Sequence, residues 1–461
     1  MKFPFLGKTG VEKGAAELEV QERSWRVFYP HFRRALPIIV LLTAAMAGCE
    51  RLGFFSGSET AQLDSLLRLH EREMSRDIVL VEINQADYDN EALFNGTSPL
   101  DTDKVLSLIE EVKKYNPRVI GVDLDTSDWL KACKTATEIG REVENDAKCS
   151  PLRARIGKII AEPEHPAGST KRSTIIVWAT VPRTSEAPLV LRPALGGTKL
   201  PANREGVPQF PVDRDGSVRK YESRVEVAGE NGNCPNGEKP GGDGKCFSVT
   251  FARAILNAYP KSSETEAASN EKVIFNFYGD RYRFPINQAG SFLPEVGQPS
   301  GFAADITRKK EIDEQRAALL DGKIVLIGGA FNEARDNYFT PLGLMQGVEL
   351  NALAIQSDLS GGGIREVHWF VEALIDLGIG SLIVAIFFRC EGRPRRALLW
   401  SLVIIPGAML GSFLVFKSAA YWFNFIPLVV GVILHQLVEL TEASVKLQKK
   451  LETSAAQPRQ E

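Results

Sequence analysis

The sequence predicts an α/β domain, with a mixed or parallel sheet and helices on both faces, joined to an α-helical membrane region of four spans. Short apolar runs without in–out alternation, such as 77–83 (DIVLVEI), 117–124 (PRVIGVDL) and 323–330 (KIVLIGGA), are separated by stretches of helical periodicity. That pattern marks strands buried on both faces of a sheet. Three long apolar runs occupy the last hundred residues. The rest is ordinary globular sequence: 25% of the 461 residues are charged and the formal net charge is −3. No basic footprint points to nucleic acid, and the length suits two or more domains.

A helix crossing ~30 Å of hydrocarbon needs about 20 mostly apolar residues. Residues 367–388, 397–416 and 420–438 meet that requirement. The run 35–49 is short and reaches spanning length when it continues to 55. Arginines set the orientation: Arg26, Arg33 and Arg34 precede the first span, and Arg389, Arg393, Arg395 and Arg396 fill the loop after the second, whereas Lys417 alone follows the third. Both termini, 1–34 and 439–461, are thus expected in the cytoplasm, with 56–366 outside. The location implied is the inner (plasma) membrane of the cell, crossed several times. Trp369, Trp400, Tyr421 and Trp422 lie near span ends, as interfacial aromatics do. The first span has a rival reading, since AMAGC resembles a lipoprotein cleavage box ending at Cys49. Thirty-four residues precede the apolar stretch, which is long for a signal peptide and favours an uncleaved anchor. Both readings export the middle segment.

Cysteine usage agrees with export. Cys49 and Cys390 sit at membrane boundaries, while Cys133 with Cys149 and Cys234 with Cys246 close two short polar loops. Disulfides are expected for both pairs in an oxidising compartment. No His lies close in sequence to either pair, and the spacings do not match zinc ligation.

Within 56–366 the elements follow in order. Strand 77–83 leads to a helix over 103–115, carrying Val105, Leu108, Ile109 and Val112 at helical spacing. Strand 117–124 closes this βαβ unit. Residues 173–181 form a third strand, 247–258 a helix, and 272–279 a strand paired with 282–286. Strand 323–330 is followed by a helix over 346–359 that ends at Gly361–Gly363. Ligands of open α/β sheets bind beyond the carboxyl ends of strands. Three such ends carry candidate ligand contacts: Asn84 and Asp87; Asp123 and Asp125; and Gly328, Gly329 and, further on, Asp336, with Thr340 in the same loop. Asp123 and Asp336 could bind a metal, a cationic ligand or an amine, while a capping or ion-paired role is the commoner one for single Asp residues. No Gly-x-Gly-x-x-Gly, Walker, Gly-x-Ser-x-Gly or His-Glu-x-x-His pattern is present. No cofactor, resident metal or catalytic residue is therefore expected.

These residues resemble the type-two CHASE sensor domain, an extracytoplasmic input module of bacterial membrane receptors. IVLVEIN and PRVIGVDL resemble its first two strands. VDRDGSVRK (212–220) matches its Asp-x-Asp-Gly-x-x-Arg turn through Asp213, Asp215, Gly216 and Arg219. GKIVLIGGAF, RDNYFTPLG and MQGVELNALAIQ match the closing strand, the Asp and Thr-Pro loop, and the Gly-Val-Glu helix. The similarity covers about 56–366 and the triple span behind it. Family members usually carry Asp where this chain has Asn84, which removes one rim charge and weakens the case for a metal there. Relatives commonly place a kinase or cyclase after the last span, where only 439–461 stands here, so their enzyme activities are not carried over.

Polar residues inside the spans are a further expectation. Glu372 and Asp376 lie one helical turn apart; Asp376, deep in the span, suits a polar latch or relay with Asn424 and His435 as partners, whereas a shallow outer leaflet would leave Glu372 simply interfacial. Residues 440–452 place Leu440, Leu447 and Leu451 near one helical stripe, which suits a frayed end or a docking handle. The resemblance implies a signal-input protein that detects a small-molecule or protein ligand outside. Its occupancy is relayed through the bilayer-spanning helices to a separate cytoplasmic signalling partner, and a homodimer is compatible with that scheme. The alternatives are an extracytoplasmic enzyme using Asp123, Asp125 and Asp336, or a structural membrane scaffold.

Overall fold

A computed structural model describes residues 52–69, 76–130, 146–161, 173–201, 203–229, 244–259, 272–277, 284–293, 303–390 and 394–427, with Cys234 and scattered positions over 33–50 and 429–448. The chain divides into two compact units, Leu67–Ile364 and the remainder at either end.

Leu67–Ile364 is built on a six-stranded sheet: β1 (Ile78–Asn84), β2 (Val119–Asp123), β3 (Ile175–Ala179), β4 (Glu205–Gly206), β5 (Ile286–Gln288) and β6 (Ile324–Ala330), in the order β4-β3-β2-β6-β1-β5. Every pairing is parallel, and the residues of β2 and β3 are all buried, as the lack of alternation predicts. Helix α1 (Ser56–Leu69) belongs mostly to the other unit; the principal helices of this one are α2 (Gln85–Asp89), α3 (Thr102–Lys113), α4 (Asp146–Ala161), α5 (Phe251–Ala258), α6 (Ala303–Leu320) and α7 (Gly347–Leu359). Helix α3 begins at Asp101, whose side chain accepts from the Asp103 and Lys104 amides at 2.9 and 3.4 Å. Its Val105, Leu108, Ile109 and Val112 pack with Val79, Val81, Ile83, Ile120, Val122, Val325 and Ile327, so α3 and α4 cover one face of the sheet. Helices α5 and α7 cover the other. There Gly121 has no room for a side chain: a Cβ would lie 2.6 Å from Ile255 Cδ1.

Two local expectations change. The segment 247–258 is not helical throughout. Cys246–Val249 is a strand paired antiparallel with Arg224–Val227, and α5 starts at Phe251. Burial alternates along 246–249, a period of two that ends where the helical period begins. Among the described residues, 284–286 does not pair with 272–277. Val273–Ile274 pairs with Lys220–Tyr221, while β5 joins the sheet edge beside β1. The Pro285 carbonyl accepts from Leu80 N at 2.9 Å, a ladder contact that proline's missing N–H does not prevent.

Cys234 and Cys246 form a disulfide. Cys149 is also disulfide-bonded, and Cys133 lies outside the described residues.

The other unit contains α8 (Trp369–Arg389), α9 (Pro394–Ala419) and a short parallel pair, Arg365–Glu366 with Tyr421–Trp422. The fourth expected span therefore begins with two strand residues. Among the described residues one helix is long and apolar enough to cross a membrane, over Trp369–Ile386, and Val403–Ala419 is a shorter apolar stretch. Asn424 donates from Nδ2 to Glu50 Oε1 at 2.9 Å, and its amide lies 3.5 Å from Glu372 Oε1. Asn424 thus meets Glu372 and not Asp376, while His435 lies outside the described residues.

Candidate ligand cleft

Parallel register puts three positions in one row: Glu82 of β1 pairs with Gly328 of β6, and Gly328 pairs with Asp123 of β2. This row lies on the face covered by α7, with Glu82 near Glu349 and Asp123 bonded to Asn351. Gly328 is what lets α7 lie directly on the sheet, because a Cβ there would be 2.6 Å from Val348 Cβ. Asn351 then reaches the end of β2 and donates from Nδ2 to Asp123 Oδ2 at 2.8 Å. The start of α7 is fixed by a capping box between Gln346 and Glu349.

Asp336 arrives from the loop after β6. A short 3-10 turn, Asn332–Ala334, is followed by Arg335 in the left-handed region with φ 51°. Gly347 N donates to the Asp336 carbonyl at 2.9 Å. The Asp336 carboxylate rests where a side chain on Gly347 would be, 2.1 Å from the place of its Cβ. Glycine is required at 347 for this close approach. Tyr338 donates a hydrogen bond to the carboxylate.

Burial, then the neighbouring Asp336 charge, pushes the Asp123 carboxyl up to about 8 against the opposing Asn351 hydrogen bond. Burial also raises Asp336, opposed by Tyr338. The Tyr338 phenol is raised by burial and by both carboxylates. Two buried acids within electrostatic reach of one another do not both ionise readily, so the pair retains a proton near neutrality.

The two acids line a cleft of about 520 Å³ at the carboxyl ends of β2 and β6, where open parallel sheets bind ligands. Its walls include three packed aromatic rings. Trp129 meets Trp178 edge-on at 5.8 Å, Phe210 meets Tyr338 edge-on at 5.7 Å, and Phe331 stacks on Tyr88 at 4.3 Å.

Of the residues singled out from sequence, Asp123, Asp125, Gly329 and Asp336 line this cleft, and Gly328 supports it from beneath the helix. Asp125 is already partnered: Oδ1 accepts from Ser127 N and Oγ, and Oδ2 lies 3.3 Å from Arg192 Nη1 of a separate segment. Asn84, Asp87 and Thr340 do not line the cleft. Asn84 Oδ1 accepts from Asp87 N at 2.8 Å and caps α2. Asp87 is buried against Gly290. Thr340 Oγ1 donates to Gly343 O at 2.7 Å and holds a β-hairpin, Asn337–Thr340 with Gly343–Gln346. Sequence reasoning missed Asn351, Tyr338 and the aromatic walls. Asn351 carried one legible signal, a lone amide inside the apolar run of α7. Among the described residues, no group of three or more His, Cys, Asp or Glu is placed to hold a metal ion.

The Asp-x-Asp-Gly-x-x-Arg turn braces the same wall. Arg219, 3% exposed, pairs through Nη1 with Asp213 Oδ2 at 3.0 Å and through Nη2 with Asp215 Oδ2 at 2.7 Å. Val218 N donates to Phe339 O at 2.7 Å, tying the turn to the hairpin that carries Tyr338. The strands, this turn and the Gly-Val-Glu helix thus form one structural unit, and the CHASE2 domain matches residues 38–388 of the chain. The chain belongs to the CHASE2 domain family. A CHASE2 domain is an extracytoplasmic sensor of membrane proteins, so the chain carries a signal-input module. Comparison with curated proteins and with solved structures finds no match.

Proposed function

We propose that this CHASE2 protein is a multi-pass sensor of the inner membrane that binds a ligand outside the cell membrane and relays its presence to a separate cytoplasmic partner. The observation that carries this reading is the acid-lined, aromatic-walled cleft closed on one side by α7. Helix α7 supplies Asn351 to the cleft, and in the chain it is followed by Gly361–Gly363 and then by the apolar helix α8. A ligand that favours one arrangement of this helix shifts the equilibrium by its difference in affinity for the two states.

Membrane insertion is supported by exposure. Only 11% of positions in Trp369–Ile386 are buried, and Phe370, Leu374, Leu382, Leu399, Trp400 and Leu410 are each more than half exposed. Surface of that kind calls for an apolar solvent. The reading keeps four spans, 35–55, 367–388, 397–416 and 420–438, with both termini inside and 439–461 as the contact for the partner. Asn424, Glu372 and Glu50 form its polar latch.

A reporter enzyme that works only in the cytosol, fused near residue 230, is expected to be silent, and the same reporter at the C-terminus active. Strong activity near residue 230 overturns the topology and the sensor reading with it. The alternative of an extracytoplasmic enzyme has one supporting feature, the proton-sharing Asp123–Asp336 pair. Substrate turnover that is lost in Asp123→Ala would favour it.

A further inference from the structure

We infer that the cleft takes an organic ammonium ion, a molecule with an N–H-bearing cationic head and a compact apolar or aromatic body. The inference rests on the cleft being the sensor's ligand site and names the class of ligand. Charge is the first argument. Asp123, Asp125, Asp128, Glu333 and Asp336 line the cleft, with Arg335 the only cation among its described lining residues. Acidic groups thus outnumber cationic ones among the described lining residues, which disfavours an anionic ligand.

Hydrogen bonding is the second. Asp123 is 8% exposed, its Oδ2 accepts from Asn351, and among the described residues no donor reaches Oδ1. A carboxyl oxygen without a protein donor, beside a second acid with which it shares a proton, is complementary to an ammonium N–H. A bare divalent ion fits less well, since the described residues offer no set of three ligating groups. The third argument is shape. Trp129, Phe210 and Phe331 give an apolar body surfaces to cover and a cation rings to face, and about 520 Å³ suits a small molecule.

The test titrates the full chain in detergent micelles with 2-phenylethylamine, 2-phenylethanol and phenylacetate by calorimetry. The amine is expected to bind at least tenfold tighter than the alcohol, and the carboxylate not to bind. Asp123→Asn and Asp336→Asn, checked for folding by their melting curves, are each expected to weaken amine binding roughly tenfold. Tighter binding of the alcohol or the carboxylate overturns the ammonium class and leaves the cleft as a ligand site. Amine binding unmoved by both folded variants overturns the placement at the carboxylates. Binding of none of the three overturns the inference and the cleft's role as receptor together. If neither variant folds, the comparison of the three probes on the unaltered chain decides.

Discussion

Replacing Asp123 with Asn should stabilise the protein, and by an amount that depends on pH. An ordinary aspartate titrates near 3.8, and in the fold burial and Asp336 push this one up to about 8. The sign follows from linkage. A carboxyl whose folded pKa is raised contributes stability that is fully present below the unfolded value and is lost as pH rises through the folded one. At about 1.4 kcal/mol per pKa unit, holding Asp123 protonated in the fold while the unfolded chain ionises it costs on the order of 4 kcal/mol by pH 7. Asparagine keeps the shape and can still accept from Asn351, but it has no proton to lose. The variant and the unaltered chain should therefore melt together near pH 4 and diverge as pH rises, with the variant several °C higher at pH 8. Glu82, raised to about 7 by burial and by Glu349, adds the same sign of pH dependence to both proteins and cancels in the difference. The assay is tryptophan fluorescence melting of the full chain in micelles between pH 4 and pH 8. A variant no more stable than the parent at pH 8, or a difference that ignores pH, would refute the argument that Asp123 is a desolvated acid.

Replacing both Cys234 and Cys246 with Ser opens a loop of sequence separation 12 and should lower stability by about 3 kcal/mol, read as an earlier denaturant midpoint; an unchanged midpoint would mean the bridge is idle. Gly328→Ala forces a Cβ against Val348 and should cost about 1–3 kcal/mol, whereas Gly157→Ala, in open space on α4, should be neutral or stabilising by up to about 1 kcal/mol; equal effects in a melting assay would contradict close packing of α7. The Arg219 hydrogen bonds hold Asp215 down to about 2, so its contribution is present above the ordinary value and lost as pH falls through 2. Asp215→Asn should accordingly flatten the acid limb of the stability curve between pH 4 and pH 2, and an unaltered limb would show that the pair carries no weight.

Much of the fold was legible because burial on both faces leaves a local trace. Strands 77–83, 117–124, 173–181 and 323–330 read as unbroken apolar runs, and α3 and α7 by helical period and capping residues, because each element must present apolar surface wherever it is covered. The Asp-x-Asp-Gly-x-x-Arg turn was legible for a similar reason, since a left-handed Gly216 and a buried Arg219 admit few other residues. The carboxyl-end rule singled out Asp123 and Asp336, which the fold brings to one cleft although they are more than two hundred residues apart.

Tertiary structure alone decided the rest. Pairing partners of short strands are set by which edge is free, so Ile286–Gln288 went to β1 and Val273–Ile274 to Lys220–Tyr221, although neither choice is written in the local residues. Asn84, Asp87 and Thr340 looked like rim residues, yet Asn84 and Thr340 bond within their own turns and Asp87 packs against Gly290. Whether a polar side chain faces a ligand or its own backbone depends on a few ångströms of loop path. Asn351 and the rings of Trp129, Phe210 and Phe331 converge from distant segments only once the sheet is assembled. Sequence by itself determined the kind of domain and its acidic rim, because apolar period and carboxylate placement are local properties. The cleft and its electrostatics belong to the folded chain, because burial is a property of neighbours that the sequence brings together only in three dimensions.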